Sequence, residues 1–295
     1  MRRKGRGLFI ASFLAPAVLL YGVFLLWPLA QSFVIAFYRW SGLSDKREFR
    51  GLQNFEKLMS DEAYKQALSN NLWMLAVSFL VLLSMGVGVA HLLQKKDRIS
   101  GFMRGLFLFP HVMSLIAASI LWMFVYSPQG GLLNAVAAPF GAEPNTPWLA
   151  QKATALPAVT VTFIWWALGF YVMLFTAGLR SIDGEVNEAA ELDGAEGWRK
   201  FTKVTWPLLY PVKRIAAIYI VINVVNTFGL VNLMTNGGNP DRATEVLLTY
   251  LYERGIAASE YGYGTAIAVT AFVIVLTLAG LVMLVYRRDP TGART

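Results

Sequence analysis

The chain has 295 residues, of which 56% are hydrophobic and 15% charged, with a formal net charge of +8. It contains no cysteine and only two histidines, so disulfide and thiolate chemistry are excluded and a metal site is disfavoured. The charged residues form short islands around six uncharged stretches, namely 7–38, 66–94, 105–142, 153–179, 215–240 and 261–286. Each exceeds the roughly 20 apolar residues that cross a bilayer, which predicts a multi-pass membrane protein.

The apolar stretches predict helices, because a segment in lipid must satisfy its own backbone hydrogen bonds and barrel strands would alternate apolar with polar residues. Runs such as 79–83 and 273–276 do not alternate. In chain order the helices are predicted at about 8–38, 72–93, 105–126, 155–178, 213–234 and 264–286. The fold class is therefore an all-α membrane protein with six transmembrane helices. No connection reaches the roughly 50 residues of an independent domain, so residues 1–295 are predicted to form a single membrane domain.

Two of these helices carry interruptions. Pro16 and Pro28 lie inside the first, which is too long for a straight crossing and is predicted to be kinked or tilted. The turn cluster at 127–131 predicts that the third helix ends near Tyr126. No charged residue lies inside any of the six stretches, whereas ion-driven carriers commonly place one there. We therefore expect any transport to draw its energy from another source.

The basic residues predict the orientation. Seventeen of the 26 lysines and arginines lie before the first apolar stretch, in the 94–104 connection, between the fourth and fifth apolar stretches (180–214), or after the last stretch. The positive-inside rule then places both termini in the cytoplasm and the connections 39–70, 127–154 and 235–263 outside. Topology explains the basic excess without nucleic acid. The first apolar run is too long for a signal peptide and is predicted to remain as a span.

The polar segment 181–207 carries the signals of two short helices. Ser181 or Asp183 can cap the first, and Gly194 suits its left-handed C-terminal cap. Trp198, Phe201 and Val204 then recur at helical spacing, until Pro207 permits only the start of another helix. Small residues in this segment leave room for a second surface to approach closely.

The same segment resembles the EAA loop of permease subunits in bacterial binding-protein-dependent ABC importers. The resemblance rests on Glu188, Ala189 and Ala190, followed by Gly194 and, after twelve residues, by Pro207. The external run 233–266 is similar to the corresponding segment of the sugar-permease branch, of the maltose and glycerol-phosphate type. Trp206 departs from this pattern, since leucine usually stands there, and Asn239 interrupts a common Gly-Gly-Pro.

The resemblance implies a transmembrane permease in the bacterial inner membrane, acting as one subunit of a carbohydrate importer rather than as an enzyme. It implies four kinds of partner: a second permease in a heterodimer, two cytoplasmic ATPase subunits that use ATP and Mg, an external solute-binding protein and a sugar, besides the membrane lipids. This chain itself is expected to bind no cofactor. The ATPase-coupling residues implied are Glu188 for a polar contact, Ala189 and Ala190 for packing, and Asp193 and Gly194 at the turn.

Substrate contacts are expected from uncharged polar side chains within the spans. The fifth span offers Tyr219, Asn223, Asn226 and Thr227 on one helix face. Buried amides in lipid need partners, so this face should meet either a substrate cavity or the second permease. The alternatives are a membrane-embedded enzyme and a structural or assembly membrane protein. A membrane-embedded enzyme would need more acid, base or metal-binding groups than His91 and His111, and a structural or assembly protein would not need the EAA pattern.

Overall fold

We describe the protein from a computed structural model, which covers residues 3–286 apart from 45, 96, 142 and 144. Within that part, four helices are long and apolar enough to cross a membrane, and two bent helix pairs raise the number to six if each pair is one span. The four are Phe9–Ile35, Glu62–Leu92, Lys152–Arg180 and Tyr261–Val285. Several of the basic residues used to orient the chain, Arg2, Lys96, Arg287, Arg288 and Arg294, lie outside the described residues, and the orientation stays a prediction.

The regular elements in the described part of the chain are helical, apart from one short two-stranded sheet. The α-helices in chain order are α1 (Arg3–Tyr21), α2 (Trp27–Ile35), α3 (Gln53–Ser60), α4 (Glu62–Leu92), α5 (Arg98–Val112), α6 (Leu115–Val125), α7 (Leu132–Ala137), α8 (Lys152–Arg180), α9 (Gly184–Leu192), α10 (Gly197–Lys200), α11 (Trp206–Leu208), α12 (Tyr210–Val225), α13 (Phe228–Thr235), α14 (Leu247–Leu251) and α15 (Tyr261–Val285). Short π or 3-10 turns are Gly22–Leu26, Ala138–Phe140, Phe201–Thr205 and Tyr252–Ala257, and β1 (Tyr38–Arg39) pairs antiparallel with β2 (Glu48–Phe49).

The first and second spans differ from the predicted bounds for identifiable reasons. Between α1 and α2 the helix widens into a π turn directly before Pro28, whose missing N–H interrupts the α-helical ladder. The second span begins at Glu62, ten residues before the predicted start. Hydropathy could not detect this beginning, because its turns are polar and bury Asn70 and Asn71.

The third span is not straight. The predicted stretch contains α5 and α6, which meet at 98° around Met113 and Ser114 and form either one broken span or a re-entrant loop. Pro110 lies near the end of α5, and the Ser114 hydroxyl caps α6 by accepting a hydrogen bond from the Ala117 N–H at 3.2 Å. The break exposes the Met113 carbonyl, which accepts a hydrogen bond from the Trp166 indole at 2.9 Å. The predicted end near Tyr126 is confirmed, since α6 ends at Val125.

The fifth span is also divided. A helix from Gly197 to Leu208 meets α12 at 69°, and two residues separate the end of α12 at Val225 from the start of α13 at Phe228. Pro211 at the start of α12 cannot donate to the preceding turn, which explains the first break. The fourth and sixth spans, at Lys152–Arg180 and Tyr261–Val285, lie within three residues of their predictions.

Contacts divide the chain into two units, and the prediction of a single domain stays a prediction. The first unit contains residues 1–61 and 251–272. No residue of Phe9–Ile35 is buried in the chain, as expected of a helix surrounded by lipid or by another protein. Inside this unit the Tyr263 hydroxyl donates to the Asp61 carboxylate at 2.5 Å, and the Asn54 amide donates to the Ala36 carbonyl at 2.8 Å.

The second unit, residues 62–250 and 273–295, holds most of the core. Helix α8 packs against α4 and α5, and α12 packs against α4. Its largest fully buried side chains include Phe163, Tyr171 and Phe175 of α8. This core carries both of the sequence-predicted sites, the 181–207 segment at the end of α8 and the polar face of α12.

Candidate functional site: the 181–207 segment and the face of the fifth span

Helix α9 ends in a fully formed glycine cap. Gly194 has a φ of +74°, its N–H donates to the Glu191 carbonyl at 3.0 Å, and the Ala195 N–H donates to the Ala190 carbonyl at 2.8 Å. These two hydrogen bonds define a Schellman motif, which needs a left-handed residue at the position after the cap. The predicted helix, glycine turn and second helix are thus all present. Asp183 occupies the N-cap position, but its side chain makes no capping hydrogen bond.

The two faces of α9 differ in exposure. The exposed face carries side chains on successive helical turns: Glu185, then Glu188 with Ala189, then Leu192. Leu192 is 90% exposed. Ala190 points the other way and is buried within the chain. Asp193 and Gly194 are exposed beside the end of the helix. Sequence reasoning missed Leu192, although an apolar side chain on a polar helix was the available signal.

The second helix of the segment is fixed to its surroundings. Lys200 forms an ion pair with Glu191 of α9 at 2.9 Å. The Phe201 ring lies 5.3 Å from the ring centre of His91 in α4 and 5.3 Å from that of Trp198. A cavity of about 420 Å³ remains between α9 and this helix. The segment is therefore braced against α4 while the exposed face of α9 stays open.

The predicted polar face of the fifth span divides into three exposed or half-exposed residues and one buried residue. Tyr219 is 48% exposed, Asn226 is exposed and Asn223 is half-buried. Each asparagine donates one amide hydrogen to the carbonyl four residues earlier, at 2.9 Å, which leaves its amide oxygen available. Thr227 is fully buried, and its hydroxyl donates to the Val224 carbonyl at 2.8 Å. The structure thus separates Thr227 from the other three.

A series of aromatic rings continues from this face into the chain. The Tyr219 ring lies 5.6 Å from Phe170, Phe170 lies 5.3 Å from His111, and His111 lies 4.5 Å from Trp166. The interplanar angles are 36°, 33° and 44°, so the ring faces are tilted but broadly aligned. The His111 Nδ1 atom is buried and has no hydrogen-bond partner in the structure. This arrangement could not be predicted from the sequence, because the rings come from three separate predicted spans.

A buried polar network holds the connection after α13. The Asn71 amide oxygen accepts a hydrogen bond from the Leu247 N–H at 2.8 Å, and the Asn70 amide donates to the Glu245 carbonyl at 2.8 Å. Glu245 is itself 1% exposed and pairs with Arg242 at 2.6 Å. Gly238 lies against Glu245 with a φ of +142°, so the glycine there has a packing role as well as a turn role. The early start of α4 places the two asparagines where this connection needs them.

Among the described residues, no group of three histidine, aspartate or glutamate side chains converges. The matching family is described as "Binding-protein-dependent transport system inner membrane component" and aligns with residues 81–288, which include α9, its glycine cap and the whole fifth span. The chain belongs to this family. It is therefore a multi-pass membrane component of an ABC transporter, and the 181–207 segment and the α12 face lie inside the region that defines the class.

Relatives match nearly the whole chain. The diacetylchitobiose uptake system permease protein NgcF of Streptomyces coelicolor is 32% identical, with 99% of this chain and 86% of the relative covered. The sn-glycerol-3-phosphate transport system permease protein UgpA of Agrobacterium fabrum is 30% identical, with 90% and 89% covered. A crystal structure of a bacterial alginate ABC transporter in complex with an alginate pentasaccharide-bound periplasmic protein contains a chain of the same fold, with a TM-score of 0.82, 22% identity and 96% of each chain covered.

Proposed function

We propose that this chain is the transmembrane permease subunit of an ATP-driven, binding-protein-dependent sugar importer, and that it couples to a separate ATPase through α9. The observation that carries the proposal is the exposed face of α9, with Glu188, Ala189 and Leu192 open and the helix ended by the Gly194 cap. The exposed leucine, the carboxylates beside it and the EAA spacing lie together on one braced helix, and this is the surface that we assign to the partner. A cytoplasmic ATPase groove is the partner that the EAA pattern implies. Ala190, buried behind this face, supports the helix from inside.

The energy for transport comes from that partner. The sequence contains no Gly-Lys dipeptide and therefore no phosphate-binding loop ending in Gly-Lys-Ser/Thr, so ATP and Mg belong to the ATPase. A second permease of the same class completes the pathway. The long, unburied first span and the open face of α12 are the surfaces of this chain available to that subunit or to lipid.

The cargo is a sugar delivered by an external solute-binding protein. Amide oxygens and aromatic ring faces, as found at Asn223, Asn226 and Tyr219, are natural contacts for sugar hydroxyls and C–H groups. The relatives named for diacetylchitobiose and glycerol-3-phosphate, and the alginate transporter of the same fold, support a carbohydrate-type cargo. Residues 215–240, the part of the fifth span that carries Tyr219, Asn223 and Asn226, contain no lysine or arginine, which favours an unphosphorylated sugar over a phosphorylated one.

Reconstitution tests this function. The chain is co-purified with its second permease and ATPase, placed in proteoliposomes and supplied with candidate radiolabelled sugars and the solute-binding protein. We expect uptake that requires both ATP and the loaded binding protein. Uptake that persists with a non-hydrolysable ATP analogue, or without the binding protein, would contradict the proposal.

A further inference from the structure

Lys213 is a buried lysine at the start of α12. Its side chain is 6% exposed, and its Nζ atom donates a hydrogen bond to the Trp206 carbonyl oxygen at 2.6 Å. The same atom lies 4.1 Å from the centre of the Trp206 ring. No acidic partner of Lys213 is found among the described residues. Burying an ammonium group is costly unless its donors are satisfied, so this contact must stabilise a particular arrangement of the chain.

The arrangement that it stabilises is the 69° bend between the Gly197–Leu208 helix and α12. Trp206 lies in the last turn of the first helix, where carbonyl groups lose their helical partners and the helix dipole is negative. The Lys213 ammonium group, in the first turn of the next helix, donates a hydrogen bond to one of these carbonyls across the bend. The indole ring provides a second, cation–π contact to the same ammonium group.

The bend is packed on two sides. The Trp206 ring lies 6.2 Å from Phe201, which in turn contacts His91 of α4. On the other side, a side chain at Gly178 of α8 would come within 2.6 Å of Val212, so α8 approaches the bend as closely as a backbone can. Sequence comparison with the family pattern marked Trp206 as a departure from leucine. A leucine could fill the space but could not hold a cation over a ring face.

We propose that Lys213 is a positioning residue that fixes the angle between the 181–207 segment and the fifth span. The chain from α9 enters α12 through this bend, where Pro211 interrupts the hydrogen-bond ladder, so the stiffness of the bend decides how much of a displacement of α9 passes along this route. The Lys213 contact makes the bend stiff, so the displacement opens the pathway instead of being absorbed. This inference rests on the proposed coupling function and adds the element that passes the motion into the membrane.

The first test measures how rigid the bend is, independently of transport. Spin labels are attached to cysteines introduced at Thr202 and Ile215, both exposed, in the assembled complex in lipid nanodiscs; the chain has no native cysteine. We expect one narrow distance distribution in this parent and in Lys213→Arg, and a broadened one in Lys213→Met, which keeps the chain length but not the charge. An unchanged distribution in Lys213→Met would overturn the proposal.

The second test measures coupling, expressed as the amount of sugar taken up per ATP hydrolysed. Lys213→Met should lower this ratio about tenfold, because a hydrogen bond to a charged group is lost, while Lys213→Arg should keep it near the parent value. Trp206→Leu should lower it less, because the backbone carbonyl remains. A parent-like ratio in Lys213→Met would overturn the proposal. If Lys213→Met does not assemble, Trp206→Leu decides: a ratio below the parent supports the inference and an unchanged ratio overturns it.

The two readouts also separate this inference from the proposed function. If the parent complex itself shows no ATP-dependent uptake, the proposed function fails whatever the spin labels report. If the parent transports and Lys213→Met broadens the bend without lowering the ratio, the bend is stiffened by Lys213 but does not carry the motion, and the positioning role is overturned.

Discussion

Gly194→Val is expected to separate ATP hydrolysis from sugar uptake while leaving the chain in the membrane. Gly194 has a φ of +74°, and a β-branched residue is strongly disfavoured in that region. The left-handed conformation costs a non-glycine residue roughly 1–2 kcal/mol, which corresponds to about a 5–30-fold loss of the native turn. Because the same turn sets where α9 ends, Leu192 and Asp193 would no longer be presented in one orientation. We expect uptake per ATP hydrolysed to fall by a similar factor.

The matched control is Gly184→Ala at the other end of α9. Gly184 has ordinary backbone geometry and no atom within 4 Å of an added methyl group, so alanine should be tolerated. Both variants are measured in proteoliposomes for sugar uptake and ATP hydrolysis, with membrane insertion checked by yield of the assembled complex. If Gly194→Val transports as efficiently as Gly184→Ala, the glycine cap has no part in coupling.

Asn226→Leu is expected to lower the maximal uptake rate about tenfold without preventing assembly. Its amide oxygen is exposed and free, and a polar site that loses one partner leaves a sugar hydroxyl unpaired at a cost of roughly 1–3 kcal/mol. Leucine has nearly the same volume, but Asn226 is the C-cap of α12, so the variant also loses the side-chain hydrogen bond to the Ile222 carbonyl. Initial uptake rates at saturating loaded binding protein, together with size-exclusion profiles of the complex, provide the measurement.

Thr227→Val serves as the comparison for this variant. Thr227 was predicted to share the polar face, but its hydroxyl is buried against the Val224 carbonyl, so valine should lower stability by about 1 kcal/mol and leave the uptake rate unchanged. If Asn226→Leu instead abolishes assembly with the second permease, the face is a helix–helix contact. Equal uptake rates in Asn226→Leu and the parent would remove Asn226 from the pathway.

The features that could be predicted from sequence are those that depend on local chemistry. Long uncharged runs located the fourth and sixth spans to within three residues, because lipid imposes the same requirement on every helix. The Gly194 cap was predictable for the same kind of reason, since glycine is the usual residue in a left-handed helix end.

The features that could not be predicted depend on contacts between distant segments. The break in the third span is completed by a hydrogen bond from Trp166, more than fifty residues away, and the early start of α4 is explained by the contacts of Asn70 and Asn71 with the 242–247 connection. The burial of Ala190 behind an exposed Ala189 is also a matter of packing. Likewise, the residue pattern of the fifth span did not predict the hydrogen bond from Lys213 to the Trp206 carbonyl.

The most direct test of the account is a cross-link from the exposed face of α9 to the ATPase. A cysteine replaces Leu192, which is 90% exposed, and carries a thiol-linked photoreactive group in the assembled complex; the control cysteine replaces Leu43, which is 84% exposed in the predicted external connection. Ala190 is unsuitable because its side chain is buried. We expect a covalent product with the ATPase from Leu192→Cys and none from Leu43→Cys. No product from Leu192→Cys in an intact complex, or equal products from both, would overturn the coupling role of α9.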